Sequence, residues 1–465
     1  MKVTYLSHAA LEITTKAKTK FVCDPWILDE PVFNYTTWKF PAPVLDPSDI
    51  VNGVDWLLIT HSHEDHFHIP SLNKFDRKVK VLLVEYDSHP HLRAHTIERT
   101  LRLIGFSDIT KISSWEKINL DEEATLTIIP SADSRQHDWE NAGFLIEENG
   151  VKLLNMNDNV SDDKLCEDIN NRWTEIDIAF IQSLGVTMWP GRFKMSEKAL
   201  NEAVQRKQIA YDEQRRMVDV IRPKNVVPFA GDFCWMARRY EHQNWCNRST
   251  PKLFEDFMRN HASNKNCNVL TMLPSDTWSP SAGWVRNHPE LDWENYLESI
   301  KKLASLRKGK VDKIDQWLSD SSTDDLKERV RIRLEAIREN IAREYIESEA
   351  CVKYRVQGKV EFSFYIWLNQ SGFDFSFASA PIPHFQTLHL EDFEMAAIIE
   401  GKLTWNIIQW VALAEQHFLP ENVGKFWYWL EYHIDLNTKN SQVYLDSKIL
   451  PENVPAIDTE RGIFA

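Results

Sequence analysis

The chain has 465 residues, with 54 Lys and Arg against 69 Asp and Glu, a formal charge of −15. That length exceeds one ordinary core and predicts two or three domains, while the acidity excludes an obvious polyanion binder, so nucleic acid is not an expected partner. A composition of 43% hydrophobic and 26% charged residues excludes a disordered or fibrous chain, and with 14 glycines and neither GxGxxG nor GxxxxGK[ST] a glycine-rich phosphate loop is excluded as well.

The N-terminus, Met1 to His8, lacks the basic and apolar segments of a signal peptide, and no run of about 18 apolar residues follows. A soluble, cytoplasmic protein with no membrane partner is expected. Six cysteines, scattered without a CxxC pair, predict buried thiols rather than disulfides or a cysteine-ligated metal.

Residues 1 to 60 predict short strands: Val3 to Leu6, Ala10 to Ile13, and Phe21 to Cys23, the last stopped by Asp24-Pro25-Trp26. Val54 to Thr60 predicts a buried strand whose end enters a histidine-dense segment. Further strands are expected at 79 to 85, 125 to 129, 143 to 147, 151 to 155 and 178 to 182, with helices at 89 to 104 and 196 to 222. The character changes after about residue 290. Helices are expected at 292 to 318 and 323 to 350, then strands at 360 to 366 and 373 to 377, then helices at 391 to 400 and 404 to 417. This pattern predicts a catalytic domain over 1 to 290 and a smaller α+β domain over 291 to 465.

The strongest chemical signal is Thr60-His61-Ser62-His63-Glu64-Asp65-His66-Phe67-His68, where four of the sixteen histidines fall within one turn after an apolar strand. Imidazole nitrogen and carboxylate oxygen suit zinc or iron. A tight loop in this order aims His61 and His63 at one ion while Asp65 and His66 reach a neighbouring one.

H-x-H-x-D-H after a strand is the signature of the metallo-β-lactamase superfamily, which this segment resembles without a mismatch. The resemblance implies an α/β fold, the metallo-β-lactamase αββα sandwich, with two divalent metal ions. It matches His137 to the next ligand, Asp158 to the bridging aspartate and His242 to the final histidine, completing the set His61, His63, Asp65, His66, His137, Asp158 and His242. Along residues 1 to about 440, the stretches Tyr5-Leu6-Ser7-His8-Ala9, Asp24-Pro25-Trp26, Pro31-Val32-Phe33, Trp38, Pro228-Phe229-Ala230-Gly231 and Gly401-Lys402-Leu403-Thr404-Trp405 are similar to the catalytic portion of CMP-N-acetylneuraminate hydroxylases. Those hydroxylases carry a Rieske module with Cys-x-His and Cys-x-x-His motifs. Neither pair occurs in this sequence.

The hydroxylase resemblance implies iron, a monooxygenase reaction on a small polar or anionic substrate, and electrons from a separate Rieske or ferredoxin protein. The wider superfamily implies the alternative, a zinc-type hydrolase of an ester, lactone, amide or phosphodiester. Oxygen-handling di-iron members often carry glutamate where this chain has His63, which favours zinc, although the hydroxylases keep histidine. Asp65 and His8 are the residues expected to act at the reacting atoms, with a satisfied core histidine as the alternative for His8. Arg192 and Arg238, with Lys194 and Arg239 nearby, are candidates to hold an anionic substrate; surface ion pairs are the alternative. Trp38, Trp139, Trp189 and Trp235 are candidate pocket walls or core residues, and His68, His89, His91 and His95 are expected to be structural or exposed. Residues 360 to 410 are similar in pattern to sterol-carrier-like domains, but a module that packs on the catalytic domain and helps a homodimer form is the favoured expectation.

Overall fold

The computed structural model describes residues 1–85, 93–131, 141–159, 161–183, 189–206, 211–231, 233–246, 250–263, 266–340, 349–369, 372–405, 412–420 and 426–427, with two short strands at 457–458 and 462–463. Two sheets lie face to face. The first runs Gly283–Val285, Thr277–Ser279, Lys2–Ser7, Ala10–Thr14, Lys20–Cys23, Trp56–Ile59, Lys80–Val84, Ile109–Ile112. The second runs Asn268–Val269, Asn225–Phe229, Ile178–Gln182, Val151–Asn155, Gly143–Glu148, Ala124–Ile129, Lys117–Asn119.

Alternation places Val3, Tyr5, Leu11, Ile13, Phe21 and Leu58 of the first sheet against Leu126, Ile128, Phe144, Ile146, Phe180 and Val227 of the second, in one buried layer. The opposite faces are covered by helices. Arg93–Leu103 packs Ile97 and Leu101 on the first sheet. Asp163–Arg172, Tyr211–Ile221 and Pro251–His261 pack Ile169, Val218 and Phe254 on the second. The result is the αββα sandwich. Its central hairpin turns at Asn149-Gly150, both with positive φ (50° and 81°), the conformation a two-residue hairpin favours.

A third sheet, in the order Gly372–Ser376, Phe362–Asn369, Ala350–Gln357, Gln386–Glu391, Leu413–Gln416, forms the C-terminal part with the helices Tyr296–Leu306, Lys308–Ser319, Leu326–Asn340 and Asp392–Ile399. Its core is not its own. Trp38, Phe40, Phe233, Trp235 and Tyr240 of the first part are buried in the same cluster as Leu334, Tyr354, Phe364 and Met395. Loop residues Arg192 to Lys194 extend the third sheet: Ala414 N–H donates to the Arg192 carbonyl at 2.7 Å, and Lys194 N–H donates to the Ala414 carbonyl at 2.8 Å.

Two expectations about elements need correction, and two more are described only in part. The helix expected at 404 to 417 gives way to the edge strand Leu413–Gln416, because Ala414 is buried against Leu388 and its backbone is taken by the neighbouring strand and by the Arg192 loop. The helix at 292 to 318 is two helices broken at Arg307, whose guanidinium turns to hold Asp29 at 2.8 and 2.9 Å. The stretch at 196 to 222 holds helices Glu197–Arg206 and Tyr211–Ile221, with 207–210 outside the described residues. The strand Ala350–Gln357 begins where the helix of 323 to 350 was expected to end; the described helix is Leu326–Asn340. Among the described residues no helix is long and apolar enough to cross a membrane.

Candidate metal centre

The site lies at one edge of the sandwich, where several strands release their chains: His8 after Lys2–Ser7, Asp24 after Lys20–Cys23, Thr60 and His61 after Trp56–Ile59, and Asn157-Asp158 after Val151–Asn155. His66 and Phe67 N–H groups both donate to the His63 carbonyl, at 3.0 and 2.7 Å, which winds the motif into a tight turn. His8 is fixed through its backbone: its carbonyl accepts from Tyr5 Oη at 2.9 Å and from Ala230 N–H at 3.1 Å.

Asp24 organises the floor of the site. Fully buried and in the left-handed region (φ 44°), it accepts from Thr60 N–H at 2.9 Å, Thr60 Oγ1 at 2.7 Å, Asn157 Nδ2 at 2.6 Å and His66 Nδ1 at 3.1 Å. A carboxylate on Nδ1 keeps the proton there and leaves Nε2 of His66 to face inward, the arrangement that prepares a histidine to ligate a cation. Thr60 Oγ1 does the same for His61, whose Nδ1 it meets at 3.0 Å.

Inward of this floor the donor atoms converge. His66 Nε2 lies 3.5 Å from Asp65 Oδ2 and 3.5 Å from Asp158 Oδ1, His8 Nε2 lies 2.7 Å from Asp65 Oδ2, and His61 Nε2 lies 2.8 Å from His63 Nδ1 and 3.8 Å from Asp158 Oδ2. Two ligand groups result, His8 with Asp65 and His66, and His61 with His66 and Asp158. Burial opposes charge on both Asp65 and His66. The neighbouring His66 and His8 nonetheless hold the Asp65 carboxyl well below the usual range, and Asp65 and Asp158 hold His66 well above it. Asp65 Oδ1, His66 Nε2 and Asp158 Oδ1 are buried and make no hydrogen bond. Such atoms are costly unless something else meets them. A divalent cation fits the donors present.

The structure places His61, His63, Asp65, His66 and Asp158 close together, with His8 beside Asp65. His137, with Trp139, His89 and His91, lies outside the described residues. His242 is placed elsewhere: its Nε2 faces the Gly191 carbonyl at 3.3 Å and it lines a cavity of about 870 Å³ with Trp235, Arg238, Trp245, Ile300 and Lys308. It belongs to neither ligand group. His68 is structural, with Nδ1 2.7 Å from Ser71 Oγ, the hydroxyl that also receives Ile27 and Leu28 N–H. Arg192 lies against the third sheet, its Nη2 3.5 Å from Gln386 Oε1 and its Nε without a partner. Burial pulls its pKa down to about 10. Arg238 is exposed at the mouth of the His242 cavity, while Arg239 pairs with Asp315 at 2.8 Å and Lys194 with Glu415 at 2.7 Å. Trp38 and Trp235 are core, and Trp189 is exposed. Sequence reasoning missed Asp24 as an organiser; a carboxylate at the end of a buried strand, in front of a proline, was the available signal.

Comparison with known proteins agrees with this architecture. Residues 20–218 match the model of the Beta-lactamase superfamily domain. A protein of Mycolicibacterium smegmatis named as a Rieske 2Fe-2S iron-sulfur protein is 24% identical over 310 residues, 65% of this chain and 58% of the relative. The cytidine monophosphate-N-acetylneuraminic acid hydroxylase of Xenopus laevis is 22% identical over 293 residues, 61% of this chain and 45% of the relative. This chain thus spans about half the length of the curated relatives it matches. Among solved structures, isothiocyanate hydrolase from Delia radicum gut bacteria superposes with a TM-score of 0.43 at 15% identity, covering 60% of this chain and 99% of that one.

Proposed function

We propose that this chain is a metal-dependent enzyme that binds two divalent cations and, as an iron-dependent monooxygenase, hydroxylates a small polar or anionic substrate with electrons from a separate Rieske or ferredoxin protein. The observation that carries the metal assignment is the set of converging buried atoms on Asp65, His66 and Asp158 that make no hydrogen bond. His61, His66 and Asp158 group around one cation position, with His63 2.8 Å from His61 and His137 assigned to it by the family resemblance, while Asp65 and His66 face the other, with His8 beside Asp65. Bound there, iron supplies redox chemistry with dioxygen.

The chain's own residues do the rest. Asp24 and Thr60 hold His66 and His61 in the tautomers that present Nε2. His8 and Asp65, 2.7 Å apart, hold a proton beside the reacting atoms. The half-buried Arg192 guanidinium, its Nε without a hydrogen bond and with no carboxylate partner among the described residues, is the group assigned to an anionic substituent of the substrate. The resemblance to CMP-N-acetylneuraminate hydroxylases supports hydroxylation over other reactions, and residue 290 is the proposed division between the catalytic domain and a supporting C-terminal one.

A zinc-type hydrolase is the second assignment, favoured by the imidazole-rich donor set, which suits zinc as well as iron. Anaerobic purification followed by metal analysis and oxygen-uptake measurements separates the two. Iron in the protein, with substrate-dependent oxygen uptake once a reductant and a ferredoxin are supplied, supports the monooxygenase. Zinc occupancy with phosphodiester or lactone hydrolysis and no oxygen uptake overturns it.

A further inference from the structure

Phe33, Asn34 and Tyr35 are three consecutive non-glycine residues in the left-handed region, with φ of 50°, 57° and 67°. Left-handed backbone costs an ordinary residue roughly 1–2 kcal/mol, so such a run persists only where its surroundings hold it. Here the restraint comes from the C-terminal module, hundreds of residues later in the chain. Asn34 Nδ2 donates to Thr404 Oγ1 at 2.7 Å, and Thr404 N–H donates back to Asn34 Oδ1 at 2.7 Å. Both residues are buried. Tyr35 adds an edge-on contact to Trp317 with ring centroids 5.6 Å apart, and Lys402 anchors the Thr404 segment to the Trp317 carbonyl and Ser321 Oγ, each at 3.0 Å.

The other side of Asn34 meets the metal motif. Its N–H donates to Glu64 Oε2 at 3.3 Å, and Glu64 is the residue between His63 and Asp65. Glu64 is therefore fastened to a segment that the C-terminal module grips. The tie runs from Thr404 through Asn34 and Glu64 into the backbone that carries ligands on either side.

We infer that Thr404 and Asn34 are positioning residues for the metal loop, and that the C-terminal module acts on the metal centre through them. The inference rests on the two-cation assignment above. Loss of a partner that directly holds a metal ligand costs about ten- to a hundredfold in metal affinity, and this tie, which acts through Asn34 and Glu64, is expected to fall at the lower end of that range. Without the tie the 61–66 turn samples arrangements in which His63 and Asp65 no longer converge.

The test measures Co²⁺ binding by chelator-stripped full-length protein, through competition with a chromophoric chelator and through the visible absorption of bound Co²⁺, neither of which needs turnover. Thr404→Val removes the hydroxyl and is expected to weaken Co²⁺ binding about tenfold and to change the absorption band, while Thr404→Ser restores both. Asn34→Gly cuts the tie but takes positive φ without strain, so it is expected to lower Co²⁺ affinity similarly while leaving thermal stability close to that of the parent. Arg338→Gln, which breaks the pair to Asp374 elsewhere in the same module, is expected to leave binding unchanged. Wild-type affinity and absorption in Asn34→Gly overturn the inference, as does an equal loss in Arg338→Gln. Absence of Co²⁺ binding by the parent protein overturns the metal assignment itself.

Discussion

At Asp24 both carboxylate oxygens are taken up by donors, three on Oδ2 and one on Oδ1. Asp24→Asn keeps the shape but turns an amide N–H₂ toward a group that itself donates, so one buried pair becomes donor against donor. The expected result is a stability loss of about 1–3 kcal/mol and a metal affinity lower by about ten- to a hundredfold, measured by denaturant titration and chelator competition. Asp24 was not legible as a site residue because it meets His66 only after the strands at Lys20–Cys23 and Trp56–Ile59 pair. The H-x-H-x-D-H residues were legible as a group because one turn supplies them all. His242 was matched by its order along the chain, whereas the position beside Asp65 and His66 is taken by His8, which arrives from the first strand. Lys39 was missed altogether. It is buried, donating to the Trp26 carbonyl at 2.9 Å and the Leu28 carbonyl at 2.7 Å, and burial lowers its pKa to about 7, with Asp29 and Glu30 raising it and Arg307 and Lys310 lowering it further. The unfolded chain keeps that proton up to its ordinary value of 10.5, so between about pH 7 and 10.5 the unfolded state holds more protons. Stability from this group is therefore lowest below pH 7 and rises with pH across the window. Urea titrations at pH 7 and pH 9.5 are expected to show that rise in the parent and to lose it in Lys39→Met; an identical rise in both refutes the assignment.

Elements transmit such effects through backbone contact, and two glycines separate the cases. A Cβ at Gly143 would lie 2.6 Å from the Asn155 carbonyl oxygen and 3.1 Å from Met156 Cα, main-chain atoms that cannot step aside. Asn155 ends the strand that delivers Asn157 and Asp158, so Gly143→Ala is expected to cost about 1–3 kcal/mol by denaturant titration and to loosen metal binding as well. Gly309, inside the helix Lys308–Ser319, has nothing within 4 Å of a built Cβ. Gly309→Ala is expected to stabilise by about 0.5–1 kcal/mol without touching metal affinity. Buried strands such as Lys80–Val84 and Ile178–Gln182 were legible as short runs of β-branched and aliphatic residues. The edge strand Leu413–Gln416 was not. Only Ala414 of its four residues is buried, so neither period stands out, and its partners lie far away in sequence at Gln386–Glu391 and Arg192–Lys194.

For the whole molecule, the change of composition after residue 290 was visible, but the sharing of one core across it was not, because Trp38 and Phe233 look locally like any buried aromatics. Their membership of the C-terminal cluster, with the Arg239 to Asp315 pair and the Asn34 to Thr404 tie, joins the metal loop to both parts of the fold. The metal centre concentrates Asp24, Asp65 and Asp158 in buried or nearly buried positions of a chain already carrying −15, so a bound cation offsets local repulsion that the protein alone must otherwise carry. An ion that binds only the folded state stabilises it by RT ln(1 + [L]/Kd), about 2.7 kcal/mol at a free concentration of 100 times Kd. Because one buried cluster spans both parts, that energy is expected to act on the molecule as one unit. Calorimetry of chelator-stripped protein is expected to show a lower midpoint that rises with added Zn²⁺ or Fe²⁺ as a single transition, in step with the free ion concentration. A transition that splits, with only its N-terminal part responding, would show that the two parts fold independently and that the shared core does not couple them.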